Sequence, residues 1–460
     1  MNKKINSDLI FLIGIFLLPF ENFFFAPSSG WATITPIILA IYILFNFKLF
    51  TKEIIKFRKI IIFFIIGFIL SIINYIFVGF KLVNTINTLI SLGLGFVSLF
   101  SFDIYYSKNK KLDKVIKLLI ISYCISIAIG IIQFITIKFN ISVLYDFFHL
   151  IFKRDYLQYN RIQYFFTEPS FIGMHVFGIL LPIYLITKNK KLIYFIGVFC
   201  ILVFLFYSGV RILLDICIIG VILLFSYLIR YKKFKYVIGI PIIFVISIIV
   251  LYNTNYRVNS IINNGIYADG SLATRYFRIQ ATVYGYVKDP VHFIFGYGMG
   301  NSHIPLKAGY DDAVKTYKST YVEEVIGLGK SDFTDDNVSY CLYTRIISEY
   351  GVILFIIATM YIINMTRNSN FKYKYSYLLI TLYLYVQFES LAFYSMWIFI
   401  LVMMYTKQNE ITDRKDIVEK LLEFLGKKNC KLYDILSDKQ ILKKYIEMKK
   451  KINEFLIKTR

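Results

Sequence analysis

The chain has 460 residues, of which 57% are hydrophobic and 18% aromatic, and its formal net charge is +23. Its apolar residues come in long uncharged blocks, which excludes an ordinary soluble domain and, for want of apolar/polar alternation, a transmembrane β-barrel. The positive charge lies mostly in short segments between the blocks and in the C-terminal tail, with no basic-aromatic module, so nucleic acid is not an expected partner.

The start, Met1-Asn2-Lys3-Lys4 followed by an apolar run, resembles a signal peptide. Ala26-Pro27-Ser28 is a poor cleavage site and a second apolar run follows at once, so residues 8–25 are expected to be an uncleaved first helix. Further spans are expected at 31–47, 60–79, 89–106, 115–137, 169–187, 192–207, 212–229, 236–252, 341–365, 375–388 and 391–406. These blocks must be helical, because an unpaired backbone amide in lipid costs several kcal/mol. The expectation is an all-α integral membrane protein of about twelve spans, with the last two short enough to be one broken helix.

Charge orients it. Lys48–Lys59, Ser107–Lys114, Lys188–Lys191, Arg230–Lys235 and Arg367–Lys374 each carry at least three Lys or Arg. The alternate loops near 26–30, 80–88, 208–211 and 389–391 carry at most one each, which puts both termini in the cytoplasm. A membrane domain over 1–406 then has two long extracytoplasmic loops, 138–168 and 253–340, the second between helices 9 and 10. The larger loop has eight Lys/Arg and nine Asp/Glu between Arg257 and Asp336. Such length is more than a connection requires. Residues 407–460 carry apolar residues at helical spacing among Lys and Glu, which reads as a cytoplasmic basic amphipathic tail on anionic lipid or as a docking segment.

Four constellations can carry chemistry. Arg161 and Glu168-Pro169-Ser170 stand at the mouth of the sixth span; Pro169 suits a first helical turn, and Glu168 is placed either to accept a proton or to cap the helix and pair with Arg161. Tyr207-Ser208-Gly209-Val210-Arg211 forms a short turn, and Arg211 and Asp215 share a helix face at ion-pair spacing. Arg275 and Arg278 are three apart on an expected helix, so both guanidiniums can face one way, and such forks match phosphate oxygens. They lead through Asp289-Pro290 to Gly296-Tyr297-Gly298-Met299-Gly300-Asn301, which reads as tight turns or a close backbone approach to a ligand. Lastly, Asp335-Asp336-Asn337 precedes Arg345 and Glu349, again at ion-pair spacing. Five dispersed cysteines support neither a disulfide framework nor a zinc site. The acidic pairs Asp311/Asp312 and Asp335/Asp336 read as hydrated carboxylates, so no metal or other cofactor is expected.

In order and spacing, these segments over about residues 155–405 resemble the O-antigen polymerase and ligase superfamily. The resemblance implies a GT-C-like glycosyltransferase that takes oligosaccharides linked to polyprenyl diphosphate at the outer face of a bacterial cytoplasmic membrane. It implies that Arg161, Arg211, Arg275 and Arg278 hold the donor diphosphate and that Glu168 orients or deprotonates the acceptor hydroxyl. Tyr297, Asn301, Asn337 and Arg345 are the further substrate contacts it suggests. A chain-length regulator and a flippase are the protein partners that would accompany such an enzyme. Ligases of the superfamily place a His just before the Asn that opens the helix after the large loop; here that residue is Asp336, which favours a polymerase. A flippase is the rival class, but its short loops and mid-membrane charges contrast with polar residues gathered outside.

Overall fold

The structure is a computed structural model that describes residues 7–22, 33–206, 210–230, 239–316 and 341–406. Among the described residues there is no strand. The long apolar blocks form helices, as backbone self-pairing requires of them. In chain order these are α1 (Ser7–Phe16), α2 (Thr35–Phe45), α3 (Phe47–Glu53), α4 (Arg58–Val78), α5 (Leu82–Asn109) and α6 (Asp113–Phe139). Then come α7 (Ser142–Ile151), α8 (Phe171–Thr187), α9 (Lys190–Leu205), α10 (Val210–Arg230) and α11 (Gly239–Thr254). The described part of the expected larger loop, up to Thr316, is helical: α12 (Tyr256–Asn264), α13 (Gly270–Lys288), α14 (Pro290–Phe295) and α15 (His303–Thr316). The chain continues with α16 (Leu342–Asn368), α17 (Lys374–Val386) and α18 (Tyr394–Thr406).

Five helical stretches are long and apolar enough to cross a membrane: Phe47–Val78, Leu82–Asn109, Asp113–Phe139, Arg211–Ile229 and Leu342–Asn368. Each of the twelve expected segments contains a helix, but several of these are shorter than a bilayer requires, α1 and α2 among them. Ile62, Ile65, Ile69, Ile72 and Ile76 stand exposed along α4, an apolar face that lipid would cover.

The turns Gly79–Lys81 and Lys110–Leu112 are three residues each, so α4, α5 and α6 run antiparallel and define two ends of the bundle. At the lysine-rich end, Lys108 pairs with Asp8 and Asn109 Nδ2 donates to Asp8, tying α5 to α1. The opposite end gathers the α4–α5 turn, residues 140–170, the start of α10 and the stretch 387–393.

On α13 and α15, Ala273, Phe277, Ala281, Leu306 and Ala313 form a buried seam. Gly285 and Gly309 let the backbones touch: a Cβ at Gly309 would lie 2.0 Å from the Ala281 carbonyl oxygen. A second unit includes, among the described residues, 368–371 and 403–406, where Ser369 Oγ and Thr406 Oγ1 share a hydrogen bond of 2.6 Å. The tail 407–460, the Ser208-Gly209 part of the turn before α10, and Asp335, Asp336 and Asn337 lie outside the described residues.

Candidate functional site

The segment before α8 is pinned to α6 by one side chain. Gln133 Oε1 accepts from the N–H groups of Gln163 (3.2 Å) and Tyr164 (2.8 Å), and its Nε2 donates to the Tyr164 carbonyl (3.0 Å). A buried amide with every group paired fixes the loop firmly, because leaving any one unpaired costs roughly 1–3 kcal/mol. Tyr164 takes a left-handed φ of 56° there, and its ring lies against Gly130 of α6.

Glu168 emerges from this loop partly exposed. Its carboxylate accepts from Arg154 Nη1 at 2.9 Å and from Ser170 Oγ at 3.0 Å. Arg154, which the sequence did not single out, is thus an ion-pair partner of Glu168. The reason is a contact invisible in local spacing: Asn22, at the end of the first apolar segment, holds the backbone of Arg154 on both sides. Arg161 stays in the neighbourhood, since Arg154, Arg161 and Glu168 all act on the phenol of Tyr156. Burial pushes that phenol above its ordinary range; Glu168 adds to the rise and the arginines oppose it. Helix α8 begins at Phe171, so Pro169 lies in the turn ahead of it, and the Glu168 carbonyl accepts from Phe171 N–H.

Arg211 occupies the first turn of α10. Its Nη2 donates to the Gln387 carbonyl at 3.1 Å, while its Nε is buried without a hydrogen-bond partner. Asp215, one turn on, is held by Tyr383 Oη at 2.6 Å and Gln387 Nε2 at 3.3 Å instead of forming a direct ion pair with Arg211. Gly173 of α8 makes room for this carboxylate, since a Cβ there would stand 2.1 Å from Asp215 Oδ2. Asp215, Arg275, Tyr383 and Glu168 all lie close enough to Arg211 to act on its charge. Three residues chosen from separate sequence segments, Glu168, Arg211 and Arg275, thus fall in one electrostatic neighbourhood. Arg278, one turn along α13 from Arg275, is buried, whereas Arg275 is half-buried.

Tyr297, Asn301 and Arg345 belong to a different, closely packed region. Tyr297 N–H donates to the Ser348 carbonyl (2.7 Å) and Gly298 N–H to the Glu349 carbonyl (3.1 Å). Met299 is held from α4: its N–H donates to Ser71 Oγ (3.0 Å), and Tyr75 Oη donates to its carbonyl (2.8 Å). Asn301 Nδ2 donates to the carbonyls of Gly79 (2.9 Å) and Tyr297 (2.8 Å). The close approach allowed by these glycines is to α4, α5 and α16. Gly296 and Gly351 meet backbone to backbone, both at positive φ (88° and 81°), and α16 kinks at Gly351. Arg345 and Glu349 form the buried pair their spacing predicted (Nε to Oε1, 3.1 Å). Arg345 also donates to Thr88 Oγ1 (2.9 Å) and to the Glu389 carbonyl (3.5 Å).

The stretch 387–393 separates α17 from α18. Its carbonyls receive Arg211 at Gln387, the Leu342 N–H at Phe388 (3.2 Å) and Arg345 at Glu389. Such unwound backbone is stable inside an apolar bundle only where protein groups satisfy it.

Sequence reasoning missed several polar residues. Glu21, His175 and Tyr123 form a fully buried chain: His175 Nε2 is 2.8 Å from Glu21 Oε1, and His175 Nδ1 is 2.6 Å from Tyr123 Oη. Each ring nitrogen of His175 thus has one partner, and the imidazole bridges the carboxylate to the phenol. Glu21 Oε2 in turn accepts from the Thr167 N–H (3.2 Å), adjacent to Glu168. An ionisable residue inside an apolar block is a signal in itself, and Glu21 and His175 both carried it. A π turn, Val176–Leu180, follows His175 directly.

Among the described residues no group of three or more His, Cys, Asp or Glu is placed to hold a metal ion. Asp312 is taken by Lys288 and Lys315. No protein-family model matches the chain, and no curated protein or solved structure matches it either. What the site can do must follow from its groups: two guanidiniums suited to phosphate oxygens, beside a partly exposed carboxylate able to take a proton.

Proposed function

We propose that the chain is a GT-C-type glycosyltransferase that polymerises oligosaccharide repeat units carried on polyprenyl diphosphate, at the outer face of a bacterial cytoplasmic membrane. The observation that supports it best is the neighbourhood of Arg211, Arg275 and Glu168 at the end of the bundle opposite the lysine-rich loops. On the positive-inside rule that end is extracytoplasmic. In this reading Arg211 and Arg275 hold the donor diphosphate, with Arg161 and Arg278 behind them. The acceptor hydroxyl attacks the donor's anomeric carbon, the bond to the diphosphate oxygen breaks, and Glu168 takes the hydroxyl proton. Polyprenyl diphosphate leaves with its charge stabilised by the guanidiniums.

Reconstitution with a defined lipid-linked repeat tests the reading. Arg211→Ala and Arg275→Ala are expected to leave single repeats unjoined while the protein accumulates normally. Lysine at either position is expected to restore only part of the activity, because an ammonium lacks the two-pronged fork. Polymer of ordinary length from both alanine variants would overturn the assignment, and transfer of glycan to a different acceptor would make the enzyme a ligase.

A further inference from the structure

A crevice of about 560 Å³ opens between the α4–α5 turn and the first turn of α15, lined by residues other than Glu168, Arg211 and Arg275. Lys81 and Lys307 line it, and no carboxylate does. Two helices begin there, α5 at Leu82 and α15 at His303, and no side chain caps the first turn of α5. First-turn N–H groups and the positive end of the helix dipole favour an anion.

A second observation points to a ligand. Asn301, which also lines the crevice, is completely buried and uses its Nδ2 on two backbone carbonyls, yet its Oδ1 has no hydrogen-bond partner. A buried acceptor left unpaired is costly, and a ligand hydroxyl would satisfy it. The apolar surroundings indicate how that ligand arrives. Phe80 is in the crevice wall and largely exposed, and Ile76, Phe77, Leu82 and Val83 beside it are more exposed still. That strip suits a hydrocarbon tail.

We propose that this crevice binds the headgroup of a phosphate-bearing lipid that also carries a hydroxyl, with the phosphate on Lys81, Lys307 and the first turns of α5 and α15, and the hydroxyl on Asn301. The proposal goes beyond the glycosyltransferase reading and holds whatever reaction the chain performs.

Native mass spectrometry of the purified full chain, titrated with phosphatidylglycerol, phosphatidylcholine or inorganic phosphate, tests it. Phosphatidylglycerol should bind at one saturable site at least tenfold more tightly than phosphatidylcholine. The double variant Lys81→Ala/Lys307→Ala should lose tenfold or more of that affinity, and Lys307→Glu alone should lose a comparable amount; both positions are exposed, so folding is expected to persist. Unchanged binding in these variants would overturn the site. So would displacement by inorganic phosphate at matched concentration, which would make the ligand a soluble anion, or loss of binding in Arg211→Ala but not in the lysine variants, which would put the phosphate at the other site.

Discussion

Asn22 and Arg154, 132 residues apart in sequence, clasp each other by backbone and side chain: Arg154 N–H donates to Asn22 Oδ1 at 3.1 Å, and Asn22 Nδ2 donates to the Arg154 carbonyl at 2.7 Å. Arg154 in turn holds Glu168, and Glu21, the neighbour of Asn22, holds Thr167. One dipeptide therefore secures both sides of the candidate carboxylate.

Asn22→Ala is expected to lower stability by about 1 kcal/mol, the worth of the part-buried hydrogen bond from the Arg154 N–H. The Arg154 carbonyl keeps its bond from Gln163 Nε2. Hydrogen exchange should quicken over residues 153–168 and stay unchanged in α5. An equal effect in both places would mean that the clasp is not local.

Arg345 and Glu349 are a buried pair, so removing one partner leaves the other without its opposite charge. Arg345→Ala or Glu349→Ala should each cost about 3–5 kcal/mol, while Arg345→Met/Glu349→Leu together should cost distinctly less. Thermal unfolding in detergent measures this. Single variants as mild as the double one would contradict it.

Gly351→Ala would put a methyl group 2.3 Å from the Ile294 carbonyl oxygen at a φ of 81°. Strain and overlap together should exceed about 1 kcal/mol and reduce the yield of folded protein. Gly197, in α9, is the control: a Cβ there meets nothing within 4 Å, and alanine should be neutral or stabilising by up to about 1 kcal/mol.

The hydrogen bond from Lys288 holds the Asp312 carboxyl below its ordinary range. Its folded-state pKa is depressed, so the contribution is present above about pH 4 and is lost as pH falls through the lowered value. Exchange of α15 amides should rise on acidification below that point. Lys288→Ala should shrink the acid-dependent rise; an unaltered profile would show that the pair does not couple α13 to α15.

Much of the helical order was legible because it depends on local composition. Arg345 and Glu349 were legible as a pair because both ends lie on one helix. The partners of Asp215 were not: Tyr383 and Gln387 lie 168 and 172 residues away, and periodicity carries no information about them. Arg154 was hidden as a partner of Glu168 for the same reason, since Asn22 is what holds it in place. The glycines from 296 to 300 announced a close approach, but only the folded chain reveals that Ser71, Tyr75 and Thr85 are what they approach.

The unwound stretch 387–393 has a mechanical consequence. A continuous helix would have closed the carbonyls of Gln387, Phe388 and Glu389 onto its own later turns. Left open, they form a common rail to which the first turn of α10, through Arg211, and the first turn of α16, through Leu342 and Arg345, are both lashed. A load placed on Arg211 is thereby shared with the buried pair in α16, and neither helix can shift along its axis without drawing on the other.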